Sequence, residues 1–184
     1  MLLEVRKVYN GEIGTLVWSS EDTSGIFPNI ESFTNWGNNI DFFILYDNAA
    51  ISLKNNPTYE ELIQGAGAVL DKAKVLFDNY NKPIIVQTSY KKVKYSWKGE
   101  SFYNTLKIPD ESEGLNKFTV HTFSSEDQAR VIHAYFNAIK NRPWIIGFWQ
   151  FYYQYWNTPN HPGWSIRGTQ TEDVWRKWNE VIYE

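Results

Sequence analysis

The strongest constraint on the fold is a regular alternation between short apolar strands and amphipathic helices. Four runs rich in β-branched and aromatic residues are predicted as strands, over residues 13–19, 41–47, 83–89 and 144–151. Several of these runs are almost continuously apolar, which is typical of parallel strands that helices cover. Because a helix is predicted between each strand and the next, and after the last, the order indicates a parallel α/β sheet.

Three of the predicted helices begin with a capping signal. A Thr or Ser three residues before a Glu or Gln can form a capping box, which satisfies free backbone N–H groups. Such pairs are Thr58 with Glu61, Ser125 with Gln128, and Thr169 with Glu172. Apolar residues at helical spacing follow each pair. A further short helix is predicted around residues 29–36, and Leu2, Val5 and Val8 before Gly11 indicate the end of a leading helix.

The connections that leave the strands are much longer than the connections that enter them. The leaving segments are 20–28, 48–57, 90–124 and 152–168, whereas the entering segments are 10–12, 81–82 and roughly 141–143. In parallel α/β folds, binding sites lie at the carboxyl ends of the strands, where the loops are free to vary. We therefore predict a functional site at that end of the sheet.

Four strand–helix units are half of the eight that close a (β/α)8 barrel. We predict a single domain over residues 1–184 that forms the carboxyl-terminal half of such a barrel and is truncated at its amino terminus. A small open sheet is the less favoured alternative. A half-barrel alone exposes two strand edges and an apolar interior, so a homodimer or a complex with an amino-terminal half-barrel is expected.

The composition argues against several classes of partner and cofactor. The formal net charge is −3, whereas binding to nucleic acid or to an anionic membrane needs concentrated positive charge. No apolar run is long enough to span a membrane, and no signal-peptide pattern opens the sequence. The chain has no cysteine, and His121, His133 and His161 lack the spacing of metal ligands. We predict no metal and no cofactor.

Aromatic residues, 17% of the chain, are unusually frequent and indicate a sugar site. Pyranose C–H faces stack on aromatic rings, and sugar hydroxyls need fixed donors and acceptors. The predicted substrate-binding residues near the strand ends are Trp18, Tyr46, Gln87, Thr88, Tyr90, Trp149, Gln150 and Trp156. The alternative for each aromatic is ordinary core packing, which we predict for Trp175 and Trp178 because they share one helix face.

Carboxylates at the strand ends are few. Glycoside hydrolysis usually requires two, one as proton donor and the other as nucleophile or base. The third strand ends without an acid, and after the fourth strand no acid occurs before Glu172. Asp47 is the best single candidate for a catalytic residue, with a solvated surface position as the alternative.

Several segments of the chain resemble segments of one enzyme family, and they follow one another in the same order. Residues 163–168 (Gly-Trp-Ser-Ile-Arg-Gly), followed by 172–178, resemble the aromatic-Ser-Pro-Arg-Gly turn and final helix of clan A retaining glycoside hydrolases, most closely the family 113 mannanases. Residues 147–151 resemble the eighth barrel strand of that family, and residues 82–86 the start of the seventh. The resemblance implies a (β/α)8 half-barrel that binds a β-linked polysaccharide or oligosaccharide of the mannan or glucan type.

The family's catalytic carboxylates are missing from this chain. The family nucleophile is a glutamate in a Thr-Glu-Ile-Gly-Tyr stretch, where Gln87 matches the Thr and Thr88 matches the Glu. Neither can form a glycosyl ester. The family's acid/base glutamate belongs to the fourth strand, which would precede Met1. Hydrolysis is therefore expected only if an amino-terminal half or a partner completes the site.

The alternatives to a hydrolase are a non-catalytic carbohydrate-binding module and an interaction protein without a sugar site. The resemblance implies an extracellular location if the parent protein is a secreted glycanase.

Overall fold

The protein contains four strands and four helices in the part of the chain that the structure describes. A computed structural model describes residues 2–19, 37–99, 123–150, 153, 159–160 and 163–182. The strands are β1 (Gly14–Ser19), β2 (Phe42–Asp47), β3 (Ile84–Thr88) and β4 (Ile145–Gln150). The helices are α1 (Leu2–Val8), α2 (Tyr59–Tyr80), α3 (Ser125–Ile139) and α4 (Gln170–Ile182). Short 3-10 turns cover Gly37–Asn39 and Ser96–Lys98.

The short helix predicted around residues 29–36 lies outside the described residues. None of the described helices is long and apolar enough to cross a membrane.

The four strands form one parallel sheet in the order β1-β2-β3-β4. This confirms the predicted parallel α/β fold. A consecutive order means that every crossover advances in the same direction, and right-handed crossovers then place the helices on one face of the sheet. In a doubly wound sheet the order reverses and helices cover both faces. The sheet is therefore arranged as an arc of a barrel.

The main core lies between the sheet and the helices α2 and α3. Phe43 and Leu45 of β2 and Val86 of β3 are fully buried, and they pack in one cluster with Leu62 and Leu70 of α2. Burying a side chain of this size stabilises the fold by about 1.5–3 kcal/mol. These residues occupy alternate strand positions, as expected for a sheet that buries one face.

A second, aromatic cluster holds α4 against α3 and β4. The rings of Phe136 and Trp178 stack at 5.0 Å with an angle of 6° between their planes. Phe148 of β4 stacks in the same way on Trp175, at 5.2 Å and 5°. Trp175 and Trp178 therefore contribute to the core, as their helical spacing predicts.

The helix starts agree with the capping predictions in one case and differ in the others. At α2, the backbone N–H of Glu61 donates to Thr58 Oγ1 at 3.2 Å, and that of Thr58 donates to the Glu61 carboxylate at 2.8 Å, which completes the predicted box. At α3 the cap is Ser124, whose Oγ accepts from Asp127 N at 3.1 Å. The prediction of Ser125 is wrong by one residue, because the extended backbone needed at a cap occurs at Ser124.

At α4 the predicted pair does not form a capping box. Thr169 Oγ1 donates to the Ile166 carbonyl at 2.6 Å, and the Glu172 carboxylate accepts from the backbone of Gly168 at 2.5 Å. Gly168 has a φ of 67°, a left-handed conformation that costs glycine little. The turn before the helix, rather than Thr169, therefore directs the Glu172 side chain.

The two adjacent serines at α3 provide a matched test of the cap. We expect Ser124→Ala to lower the free energy of unfolding by about 1 kcal/mol, because Asp127 N loses its acceptor. Ser125→Ala should change it by less than about 0.5 kcal/mol. Urea denaturation followed by circular dichroism measures both, and equal effects of the two variants would contradict the assignment.

Candidate functional site

At the carboxyl edge of the sheet, consecutive residues point to opposite faces. The register pairs Trp18 with Tyr46, Tyr46 with Gln87, and Gln87 with Trp149, so these four form one row across the sheet. This row lies on the face that the helices leave uncovered, and we call it the open-face row. The next residue along each of the last three strands faces the helices instead.

The open-face row combines exposed indole rings with polar groups. Trp18 is 53% exposed and Trp149 is 45% exposed, although both side chains are large and apolar. The rings of Trp18 and Tyr46 are 4.3 Å apart at an angle of 49°. Gln87 is half-buried between Tyr46 and Trp149. Since neighbouring strands are about 4.8 Å apart, the two indoles stand at the ends of a row roughly 14 Å long.

The open face is also apolar in the next row, which lies two residues earlier in each strand. Leu16, Ile44, Ile85 and Gly147 form the next register row on the same side. Leu16 is 42% exposed, and the two isoleucines are half-buried. In a closed barrel, side chains of this kind fill the interior. Here no described residue covers this apolar surface.

Asp47 lies behind the sheet, where it joins β2 to α3. Its side chain is fully buried and accepts from the Tyr135 hydroxyl, from Tyr90 Oη at 3.5 Å and from Ala49 N at 3.0 Å. Tyr90 Oη also donates to the Ala49 carbonyl at 2.7 Å. A carboxylate enclosed in this way does not reach a ligand on the open face. In the described structure these contacts give Asp47 a structural role, and the catalytic role predicted for it stays a prediction.

Thr88 and Gln150 are partners in a second set of buried contacts. Thr88 Oγ1 donates to Gln150 Oε1 at 2.7 Å. Gln150 Nε2 lies 3.2 Å from the Tyr90 carbonyl and 3.3 Å from the Trp164 carbonyl. These contacts connect the segment after β3 with the segment before α4. Both side chains therefore stabilise the loops behind the open-face row.

Gln128 supports the same two carbonyls and was not anticipated from the sequence as a site residue. Its Nε2 donates to Tyr90 O at 2.7 Å and to Trp164 O at 3.1 Å, while its Oε1 accepts from Thr171 Oγ1 at 2.8 Å. It is fully buried. The sequence does carry a signal for this role, because Gln128 is an amide on an otherwise apolar helix face. A buried amide needs hydrogen-bond partners of its own.

The predicted site residues are therefore divided between the two faces. The structure brings together on the open face Trp18, Tyr46, Gln87 and Trp149. It places behind the sheet Asp47, Thr88, Tyr90 and Gln150. Trp156 lies outside the described residues. The physical reason is the two-residue period of a strand, which allows one member of each neighbouring pair to face a ligand.

The two residues at the end of β3 that the resemblance matches to the family's Thr-Glu pair lie on opposite faces of the sheet. The resemblance matches Thr88 to the glutamate, but Thr88 is fully buried on the helix side. On β3 it is Gln87 that faces the open side, next to Trp149. An amide there donates and accepts hydrogen bonds but carries no charge and forms no glycosyl ester.

The segment after β3 contains Lys91, Lys92, Lys94 and Lys98, and one of these four side chains is buried. Lys92 is fully buried, and its Nζ donates to the Pro159 carbonyl at 3.3 Å. Burial lowers the pKa of Lys92 to about 8. Among the described residues, no group of three or more His, Asp or Glu side chains is placed to hold a metal ion.

The comparisons with known proteins show the fold. No protein-family model matches the sequence, and no curated protein matches it. Two solved structures of a GH113 beta-1,4-mannanase match with TM-scores of 0.63 and 0.62, each at 16% sequence identity. The fold is half of a (β/α)8 barrel. The match covers 97% of this chain and 48% of the mannanase chain, so the present chain spans about half the length of the structures it matches.

The Asp47–Tyr135 contact can be tested by removing one hydroxyl. We expect Tyr135→Phe to lower the free energy of unfolding by about 1–3 kcal/mol, because a buried carboxylate loses a donor. Tyr153→Phe is the matched control, since this exposed hydroxyl lies 3.3 Å from Glu172, and its effect should stay within about 0.5 kcal/mol. Chemical denaturation of both variants measures the difference, and a stability loss no larger for Tyr135→Phe would contradict the assigned role.

Proposed function

We propose that the protein binds a β-linked oligosaccharide or polysaccharide of the mannan or glucan type along the open-face row. The observation that carries this proposal is the pair of exposed indoles, Trp18 and Trp149, which share one register row at the carboxyl edge of a parallel sheet. Large exposed aromatic side chains at such an edge are typical of a ligand site rather than of a core.

The chemistry of the row suits a neutral sugar. The indole faces of Trp18 and Trp149 offer flat apolar surfaces to pyranose C–H groups. Between them, the Gln87 amide offers both a donor and an acceptor to ring hydroxyls. The described strand-end positions on the open face carry no charged side chain, which favours neutral sugars over acidic ones.

Hydrolysis is part of the proposal only if further residues complete the site. A retaining or inverting mechanism usually requires two carboxylates at the scissile bond, and the described open-face row provides none. An amino-terminal half or a partner would have to supply them. Gln87 favours a second candidate function, a non-catalytic carbohydrate-binding module, because it places an uncharged amide on the open side of β3.

We also propose that a second set of four strand–helix units closes the open face. The described strands β1 and β4 are the two edges of the sheet, and Leu16 belongs to an apolar row that no described residue covers. A twofold axis along the barrel would let β1 of one copy pair with β4 of another in parallel, which closes eight strands without unpaired edges. The second set comes from another copy of this chain or from an amino-terminal half.

The sugar proposal predicts a binding loss on truncation of one indole. We expect mannotriose or cellotriose to bind in isothermal titration calorimetry, and Trp149→Ala to weaken that binding about tenfold, because a stacking surface is lost. No reducing ends should be released by the chain alone.

A second exposed aromatic serves as the control. Tyr9 is 50% exposed and follows α1, at the opposite end of β1 from the row, so Tyr9→Ala should bind like the parent protein. Equal affinity of the parent and Trp149→Ala would exclude the proposed surface. Absence of binding to either sugar by the parent would favour an interaction protein without a sugar site.

The closure proposal predicts concentration-dependent association. We expect sedimentation velocity to show a dimer of the isolated chain, and Leu16→Asp to shift it to monomer, because a charge then lies on the apolar interior row. Leu53→Asp is the control, since Leu53 is exposed in the segment between β2 and α2. A well-folded monomer at all concentrations would rule out pairing between copies and leave the amino-terminal half as the required partner.

A further inference from the structure

A second concave site lies on the outer, helical side of the protein. A cavity of about 230 Å³ opens there and is lined by His133, Lys140, Lys177 and Trp178. The first two residues lie on or directly after α3, and the other two lie on α4. The helix-covered side of the sheet separates this cavity from the open-face row, so an inference about it is independent of the proposed sugar site.

The rings of the site are held in place by their neighbours. His133 stacks on the ring of Tyr59 at 5.0 Å with 28° between the planes, and lies 5.9 Å from Trp178. Lys140 Nζ lies 4.3 Å above the centre of the Trp178 ring. The Tyr59 hydroxyl accepts from Asn137 Nδ2 at 2.8 Å, which fixes the far side of the stack. These contacts fix the imidazole and indole that line the cavity.

The two lysines at the cavity, Lys140 and Lys177, are positively charged and form no ion pair with a described carboxylate. The acids Glu172 and Asp173 in the first turn of α4 instead pair with Arg176, at 3.7 Å and 3.3 Å. Two ammonium groups and an imidazole therefore converge on one concave surface, although the whole chain has a net charge of −3.

We infer that this cavity is a binding site for a tetrahedral oxyanion, a sulfate or a phosphate, either free or as an ester. Lysine ammonium groups are compact point charges with three rotatable donors each, and they bind phosphate-like anions as point charges. An imidazole adds a ring N–H donor. The cavity volume exceeds the roughly 30 Å³ of one water molecule several times, so it accommodates an anion together with part of an attached group.

The site has a pH-dependent signature. Burial lowers the pKa of His133 below its usual value, and the charges of Lys140 and Lys177 lower it further. Tyr59, which faces His133 from α2, stays neutral because burial raises its pKa to about 12. Without a ligand, His133 is therefore neutral near pH 7. An anion in the cavity favours the protonated ring, so by linkage the anion binds more tightly as the pH falls through the His133 titration.

The test follows the His133 and Trp178 ring resonances by NMR during a titration with sodium sulfate. Sodium chloride keeps the ionic strength constant, and sulfate keeps its double charge across the histidine range. We expect saturable shifts at both rings, an affinity that rises from about pH 7.5 to about pH 5, and weaker binding by about fivefold in Lys177→Gln. Lys72→Gln, an exposed lysine on α2, should leave the affinity unchanged.

Further variants and ligands separate the possible outcomes. His133→Gln should retain sulfate binding near pH 7.5 but lose the increase at low pH. If the protein binds mannose 6-sulfate more tightly than sulfate, the ligand is an ester. If the two affinities are equal, the ligand is the free anion. Shifts that do not saturate, or that match those in chloride alone, would overturn the proposal, as would an equal effect of Lys72→Gln and Lys177→Gln.

Discussion

The structure depends on a parallel sheet that helices cover on a single face. Each crossover from β1 to β4 advances by one strand, so α2 and α3 share one side, and side chains such as Leu45 and Val86 are fully buried there. The same alternation that buries these residues directs Leu16 and Trp18 to the other side. The apolar character of the open face is thus a direct consequence of the strand order and of the two-residue period of each strand.

Behind the sheet, polar contacts determine where the loops of the carboxyl edge can lie. Asp47 connects β2 to Tyr135 on α3, and the amides of Gln128 and Gln150 both donate to the Tyr90 and Trp164 carbonyls. Buried polar groups of this kind are costly when a partner is missing, so the framework tolerates little change. This explains why the Asp47 carboxylate and the Gln150 amide support the loops behind the sheet, whereas the Gln87 amide faces the open side.

The two proposed binding surfaces have different physical characters. The open-face row offers Trp18, Gln87 and Trp149, a neutral surface with stacking planes and one amide. The helical cavity offers Lys140 and Lys177 around an imidazole and an indole, and so selects for charge. Because the buried core separates them, a variant in one surface should leave the other surface intact, and each proposal can fail without affecting the other.

The sequence by itself determined the element order and the parallel strands, because apolar runs and the capping signal at Thr58 are local and need no long-range information. It favoured a half-barrel over an open sheet, a choice that the consecutive strand order then confirmed. It also located the carboxyl edge where Trp149 lies. The tertiary structure alone decided which side of the sheet each strand-end residue faces, since this depends on register and on where the helices pack. Gln87 therefore faces the open side whereas Thr88 and Asp47 are buried, and the carbonyl partners of Gln128 lie 38 residues before it and 36 residues after it in the chain. The tertiary structure also decided the cap of α3, because both Ser124 and Ser125 can cap a helix and the backbone conformation selects Ser124.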